Sequence, residues 1–179
     1  MRRIMVTLAI ALAATAVALP APAAEIAIEM RLVSEQGVAE RIGTITAADS
    51  PYGLILTPQL GSLPPGLHGF HVHQHPDCGH ALSGGKPGAA LAAGGHYDPA
   101  TTDRHAGPYG DGHLGDLPVL YVDGKGSAAI PVLAPRLRTA DLQGRSLMIH
   151  AGADNYSDLP EKLGGGGARI ACGAIPLSR

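Results

Sequence analysis

Apolar and polar side chains alternate in short runs along this chain, and nothing after residue 24 repeats with a helical period. Over 25–33, Ile26, Ile28, Met30 and Leu32 fall on every second position. Successive side chains of a strand point to opposite faces, so this spacing predicts a half-buried strand. The same reading gives strands over 39–46, 53–60, 67–75, 117–122, 128–133, 146–150 and 169–175. Gln36-Gly37, Pro64-Pro65-Gly66 and Asp123-Gly124-Lys125-Gly126 punctuate them, and the last is expected to close a hairpin between its neighbours. About eight short strands with regular turns predict an all-β sandwich or barrel. Two long segments, 76–115 and 151–168, lack periodicity and are rich in Gly, Pro and Asp. His80, His96, His105 and His113 lie in the first, which marks the long loops as functional. The glycine run 164–167, just before the last strand, indicates backbone passing close to another group.

The first 24 residues do not belong to that pattern. Arg2 and Arg3 precede an uncharged apolar run over 4–19, followed by Pro20 and small residues to Ala24. This is the layout of a secretory signal peptide cut after Ala23 or Ala24. The run is short for a membrane span, so the mature protein is expected to have none. One domain, 25–179, remains, in the periplasm or released from the cell. Removing Arg2 and Arg3 leaves 11 basic residues against 15 acidic, a net charge of −4. Without a basic cluster, a nucleic-acid partner is not expected. Cys78 and Cys172 are the two cysteines, and an even count in an exported chain reads as one disulfide.

Nine histidines are many for a domain of this size. In Gly69-Phe70-His71-Val72-His73, His71 and His73 share a face and can bind one ion together, while Phe70 and Val72 point into a core. His68 shares the core parity and reads as a hydrogen-bonded structural histidine. Gly94-Gly95 lets the backbone approach a site at His96. His105 follows, then His113 and Asp116, three residues apart and able to reach one ion from a turn. His150 ends the apolar run Leu147-Met148-Ile149.

Five segments together resemble the bacterial copper–zinc superoxide dismutases: 66–73, 94–99, 113–117, Ile149-His150 and 169–173. They occur in the family's order and span nearly all of the mature chain. The resemblance implies an eight-stranded Greek-key barrel with two long functional loops. It implies one copper per subunit on His71, His73, His96 and His150, and one zinc per subunit on His96, His105, His113 and Asp116. His96 would then bridge the metals. It further implies the disulfide Cys78–Cys172, Arg169 as the active-site arginine next to the copper, His96 as the catalytic proton carrier, and Asp154 as the outer carboxylate linking His71 and His105. Imidazole suits copper and zinc, and a carboxylate-closed zinc site reads as structural. The expected activity is dismutation of the superoxide anion, an antioxidant role, by a monomer or a homodimer. A copper-binding or copper-delivering protein on the same barrel is the alternative. Lys162 is a candidate for guiding the anion within the charged loop 157–167. His75 and His80 match no ligand of the family; they read as exposed loop histidines or as an auxiliary site for copper or haem.

Overall fold

A computed structural model describes residues 25–178, so the signal peptide expected over 1–24 lies outside the described residues. The alternating runs become strands: β1 (Glu25–Ser34), β2 (Gly37–Ser50), β3 (Gly53–Leu60), β4 (Gly66–His68), β5 (Phe70–His73), β6 (Ala81–Ser83), β7 (Lys86–Gly88), β8 (Leu120–Val122), β9 (Val132–Ala134), β10 (Arg145–His150) and β11 (Arg169–Ile175). Seven of them form one antiparallel sheet in the order β5-β10-β11-β1-β2-β3-β9. β4 pairs with β8, and β6 with β7. From β3 the chain crosses to β5 at the far edge of the sheet, returns to β9 beside β3, and crosses again to β10 beside β5. These crossings make the topology an all-β Greek-key barrel.

The core explains where the alternation holds and where it slips. Ile28, Met30, Ile45 and Leu56 meet Phe70, Leu117, Leu147 and Ile149 in one buried cluster. Each fully buried side chain of this kind contributes about 1.5–3 kcal/mol. The register of β1 against β2 shifts after Met30. Beyond that bulge Val33 rather than Leu32 is buried, in a smaller cluster with Met148 and the disulfide. Cys78 and Cys172 are bonded, with Cα atoms 5.7 Å apart and 94 residues of separation. A loop of that length is worth roughly 4–5 kcal/mol in the chain-entropy account.

Two expectations are corrected. The strand expected over 67–75 divides at Gly69, whose N–H donates to Gly152 O (2.7 Å) and whose carbonyl accepts from His150 N–H (2.8 Å). The turn at Asp123 forms, with Gly126 N–H donating to Asp123 O at 3.0 Å. Its flanking strands nevertheless part: β8 joins β4, Ala128 bridges Leu60, and β9 joins β3. Leu120, Val122 and Ala128 are all core residues, and different strands complete their burial. Among the described residues no helix is long and apolar enough to cross a membrane.

Candidate metal centre

Phe70 and Val72 pack into the core, which turns His71 and His73 onto the opposite face of β5. β10 lies beside β5, with Met148 opposite His71 and Ser146 opposite His73. β10 ends on His150, whose partner across β11 is Arg169. The long loop between β7 and β8 closes over this face through backbone hydrogen bonds. Val72 N–H donates to Gly115 O and accepts from Tyr97 N–H at its own carbonyl, both at 2.8 Å. Isolated bridges then set His96 beside His73 and Asp116 beside His71.

Donor atoms of His71, His73, His96 and His150 lie within 4.8 Å of one another. Nδ1 of His71 and Nε2 of His73, His96 and His150 are buried without hydrogen-bond partners. On three of these rings the other nitrogen faces an acceptor. His71 Nε2 lies 2.7 Å from Asp154 Oδ2, His73 Nδ1 2.9 Å from Gly94 O, and His150 Nδ1 3.0 Å from Gly167 O. The ring proton therefore sits on those nitrogens, leaving a lone pair on each unpartnered one. Leaving one buried acceptor unsatisfied costs about 1–3 kcal/mol, so three converging lone pairs, with the unpartnered His96 Nε2 beside them, fit a cation.

A second set lies on the other side of His96. Asp116 Oδ1 is 3.0 Å from His96 Nδ1, 3.0 Å from His105 Nδ1 and 3.4 Å from His113 Nδ1. Four donors on a tetrahedral zinc with bonds of 2.0–2.1 Å are spaced by about 3.3 Å, so these residues fit that ion. By distance alone His71 falls in this set. Its Nε2 is held by Asp154 and its Nδ1 serves the first set, whereas His113 Nδ1 is buried without a hydrogen-bond partner 3.4 Å from Asp116 Oδ1, a position that fits a fourth donor. Asp154 joins the halves: its second oxygen lies 2.8 Å from His105 Nε2.

The electrostatics of the two sets differ. Burial, with the neighbouring His96, holds His71 and His73 well below the usual imidazole range. Burial also lowers His96, against the pull of Asp116, and takes His150 down to about 4. For His105 burial opposes the charge, but the Asp116 and Asp154 carboxylates outweigh it and raise the group to about 9. Burial alone would raise those carboxyls; hydrogen bonds led by His105 hold both well below the usual carboxylate range.

Arg169 donates from Nη1 to Ala90 O (2.6 Å) and from Nη2 to Gly94 O (2.7 Å). Gly94 O thus receives both Arg169 and His73. An open cleft of about 510 Å³, lined by His96, His113, Gln74, Asp98, Asp103 and Leu163, reaches the metal-facing residues from solvent. The glycine run presses on the ligands: a Cβ on Gly164 would sit 1.9 Å from Asp154 Oδ1, and one on Gly166 3.2 Å from His150 Cβ. Lys162 is exposed, and so are His75 and His80. Among the described residues neither of those histidines joins a group of three metal-ligating side chains. His68 lies between two carbonyls, with Nδ1 2.8 Å from His150 O and Nε2 2.8 Å from Pro64 O. Sequence reasoning missed the carbonyls of Gly94 and Gly167, because a backbone acceptor leaves no side-chain signature. It also missed Asp158, which accepts from His105 N–H (2.8 Å) and Leu163 N–H (3.1 Å) and ties the two long loops together.

Comparison with known proteins places this geometry in a family. The family model for copper/zinc superoxide dismutase (SODC) matches residues 41–175. Superoxide dismutase [Cu-Zn] 2 of Salmonella typhimurium is 51% identical over 172 residues, covering 96% of this chain and 99% of that protein. Among solved structures, Cu/Zn superoxide dismutase from Brucella abortus superposes with a TM-score of 0.83 at 48% identity, covering 85% of this chain and 99% of that one. The solution structure of the monomeric copper, zinc superoxide dismutase from Salmonella enterica gives 0.77 at 52% identity, with coverage of 85% and 99%. With its Greek-key barrel and its two donor sets sharing one histidine, this chain belongs to the copper/zinc superoxide dismutase family.

Proposed function

We infer that this chain dismutes superoxide to dioxygen and hydrogen peroxide, an antioxidant activity, at a bridged copper–zinc site. The observation that carries the reading is the pairing of ring nitrogens: one is spent on a carboxylate or carbonyl, the other is left unpartnered at a shared point. His71, His73, His96 and His150 would hold copper, and His96, His105, His113 and Asp116 zinc. Four nitrogens suit Cu(II), and three nitrogens with a carboxylate close a structural zinc site. Copper held there would supply the redox chemistry, the change between Cu(II) and Cu(I) by which one superoxide is oxidised and the next reduced. Two superoxide anions and two protons give one dioxygen and one hydrogen peroxide. His96 carries one of those protons at Nε2, and water supplies the other. Burial disfavours the protonated ring and so favours release of that proton, while Nδ1 faces the zinc side beside Asp116.

The substrate is an anion and the mature chain is net negative. Arg169, fixed by two carbonyls and in register with His150, supplies the local positive charge that docks it. Lys162 adds positive charge farther out, in the loop that precedes β11. Charge steering of this kind, for which superoxide dismutases are themselves a known example, shows as a rate that falls with ionic strength.

Purified mature protein loaded with copper and zinc is expected to dismute superoxide, and His150→Ala to lose the activity. Full metal occupancy without dismutation would shift the reading to copper carriage. Arg169→Ile should slow the reaction most at low ionic strength; a rate unchanged there would remove the docking role.

The domain 25–179 is read as exported to the periplasm after loss of 1–24. The support is the leader's composition and the cystine, which persists in oxidising compartments. The mass of the protein recovered from periplasmic extract checks it, with cleavage after Ala23 or Ala24 expected. Leu67 and Tyr121 pair across β4 and β8 at 50% and 46% exposure, the apolar face that a homodimer would cover. Sedimentation of the mature protein decides between monomer and dimer.

A further inference from the structure

The stretch 107–113, Gly-Pro-Tyr-Gly-Asp-Gly-His, contains no strand or helix, yet it carries one of the proposed zinc donors. Its carbonyls have no ladder to satisfy them. Arg136 does so instead. Its Nε donates to Pro108 O (3.1 Å), Nη1 to Gly112 O (3.1 Å), and Nη2 to both Gly107 O (3.2 Å) and His113 O (2.5 Å). One planar guanidinium thus gathers both ends of the loop, including the carbonyl of His113 itself. The arginine is firmly based: it stands between the buried Ala134 and Leu137, whose N–H donates to Ala134 O at 3.3 Å. The loop has little slack, since a Cβ on Gly112 would lie 2.3 Å from Arg104 O.

We propose that Arg136 is a positioning residue for the zinc half of the centre, a strut from the barrel wall that sets the place of His113 through its backbone. The inference rests on the reading of His113 as a zinc donor. Lysine cannot replace the arginine, because an ammonium is a compact point charge and cannot span four carbonyls as the flat fork does. Outer residues that orient metal ligands are worth about 10- to 100-fold in metal affinity, and that is the loss expected here.

The test uses the full mature protein with its disulfide intact, as Arg136→Ala, Arg136→Lys and His113→Ala beside the parent. Zinc affinity is measured by competition with a chelator, and Co(II) loaded in place of zinc reports ligand geometry through its visible bands. The thermal midpoint of each metal-free protein is measured alongside. Weaker zinc binding and altered Co(II) bands in both Arg136 variants are expected, beyond any change in the metal-free midpoint. If Arg136→Ala fails to fold, Arg136→Lys carries the test. A lower midpoint with zinc affinity within twofold of the parent and unchanged Co(II) bands would make Arg136 a merely structural residue and overturn the proposal. Were His113→Ala also to bind zinc like the parent, the zinc reading of His113 would fail, and the proposal with it.

Discussion

The two halves of the centre are built in opposite ways. The half assigned to copper takes His71, His73 and His150 from adjacent strands of the main sheet. The half assigned to zinc takes His105, His113 and Asp116 from a loop with no regular structure, held by an arginine strut and a few backbone bonds. Their charges differ as well. Burial holds the strand histidines well below the usual imidazole range, whereas in the loop half the Asp116 and Asp154 carboxylates flank His105 and raise it to about 9. One half is prepared by the fold to receive a cation. The other favours a proton on His105, which a cation binding there must displace.

The comparison breaks first at Asp154, whose carboxylate meets His71 of one half and His105 of the other. Asp154→Asn removes the carboxylate that stabilises protonated His105 and orients His71. Zinc affinity should fall about 10- to 100-fold, and copper affinity less, because His73 and His150 keep their carbonyl partners. Separate titrations of the two metals check this, and equal losses would erase the distinction between the halves.

The pH dependence of metal binding sharpens it. Zinc must displace the His105 proton, so its affinity should weaken by about tenfold for each pH unit below about 9. Copper meets nitrogens that already lack a proton, with His150 down to about 4, and its affinity should stay nearly level from pH 9 to 6. A shared slope would show that both halves carry the same charge.

The smallest effect expected is on the thermal stability of the metal-free protein. A group raised in the folded state stabilises fully below its unfolded pKa, so the His105 contribution is lost as pH rises from about 6.5 through about 9. His150 is lowered, so the unfolded chain takes up protons more readily between 6.5 and about 4, and stability falls on acidification through that window. The midpoint should therefore peak near pH 6.5, falling by several degrees on either side, as roughly 1 kcal/mol moves it by 2–4 °C in a domain of this size. His105→Gln should remove the alkaline limb and leave the acid one.

The strand half is also the half that local reasoning reaches. Positions two apart on a strand share a face, so Phe70 and Val72 in the core imply His71 and His73 together. The turn spacing pairs His113 with Asp116, but no local rule brings that pair or His105 to the strand face, because their placement depends on backbone bonds between Val72, Tyr97 and Gly115 far apart in the chain. Those positions were legible only through the family resemblance. The fold divides similarly. Alternation marks most strands, yet it misses the bulge after Met30, and the turn at Asp123 was legible while the partners of β8 and β9 were not. Turn chemistry is local, whereas strand pairing is decided by which neighbours complete the burial of Leu120 and Ala128. The Arg136 strut left no trace in the sequence, since its partners are carbonyls.

The glycine run has a consequence for how such chains vary. Four identical small residues in a row have the look of a spacer, the kind of text that drifts freely in length and letter. Here the text is under tight constraint: one methyl group at Gly164 would collide with the Asp154 carboxylate, and one at Gly166 would crowd His150. The most monotonous stretch of the chain should therefore rank among the least editable, and low information content by composition conceals high information content by position.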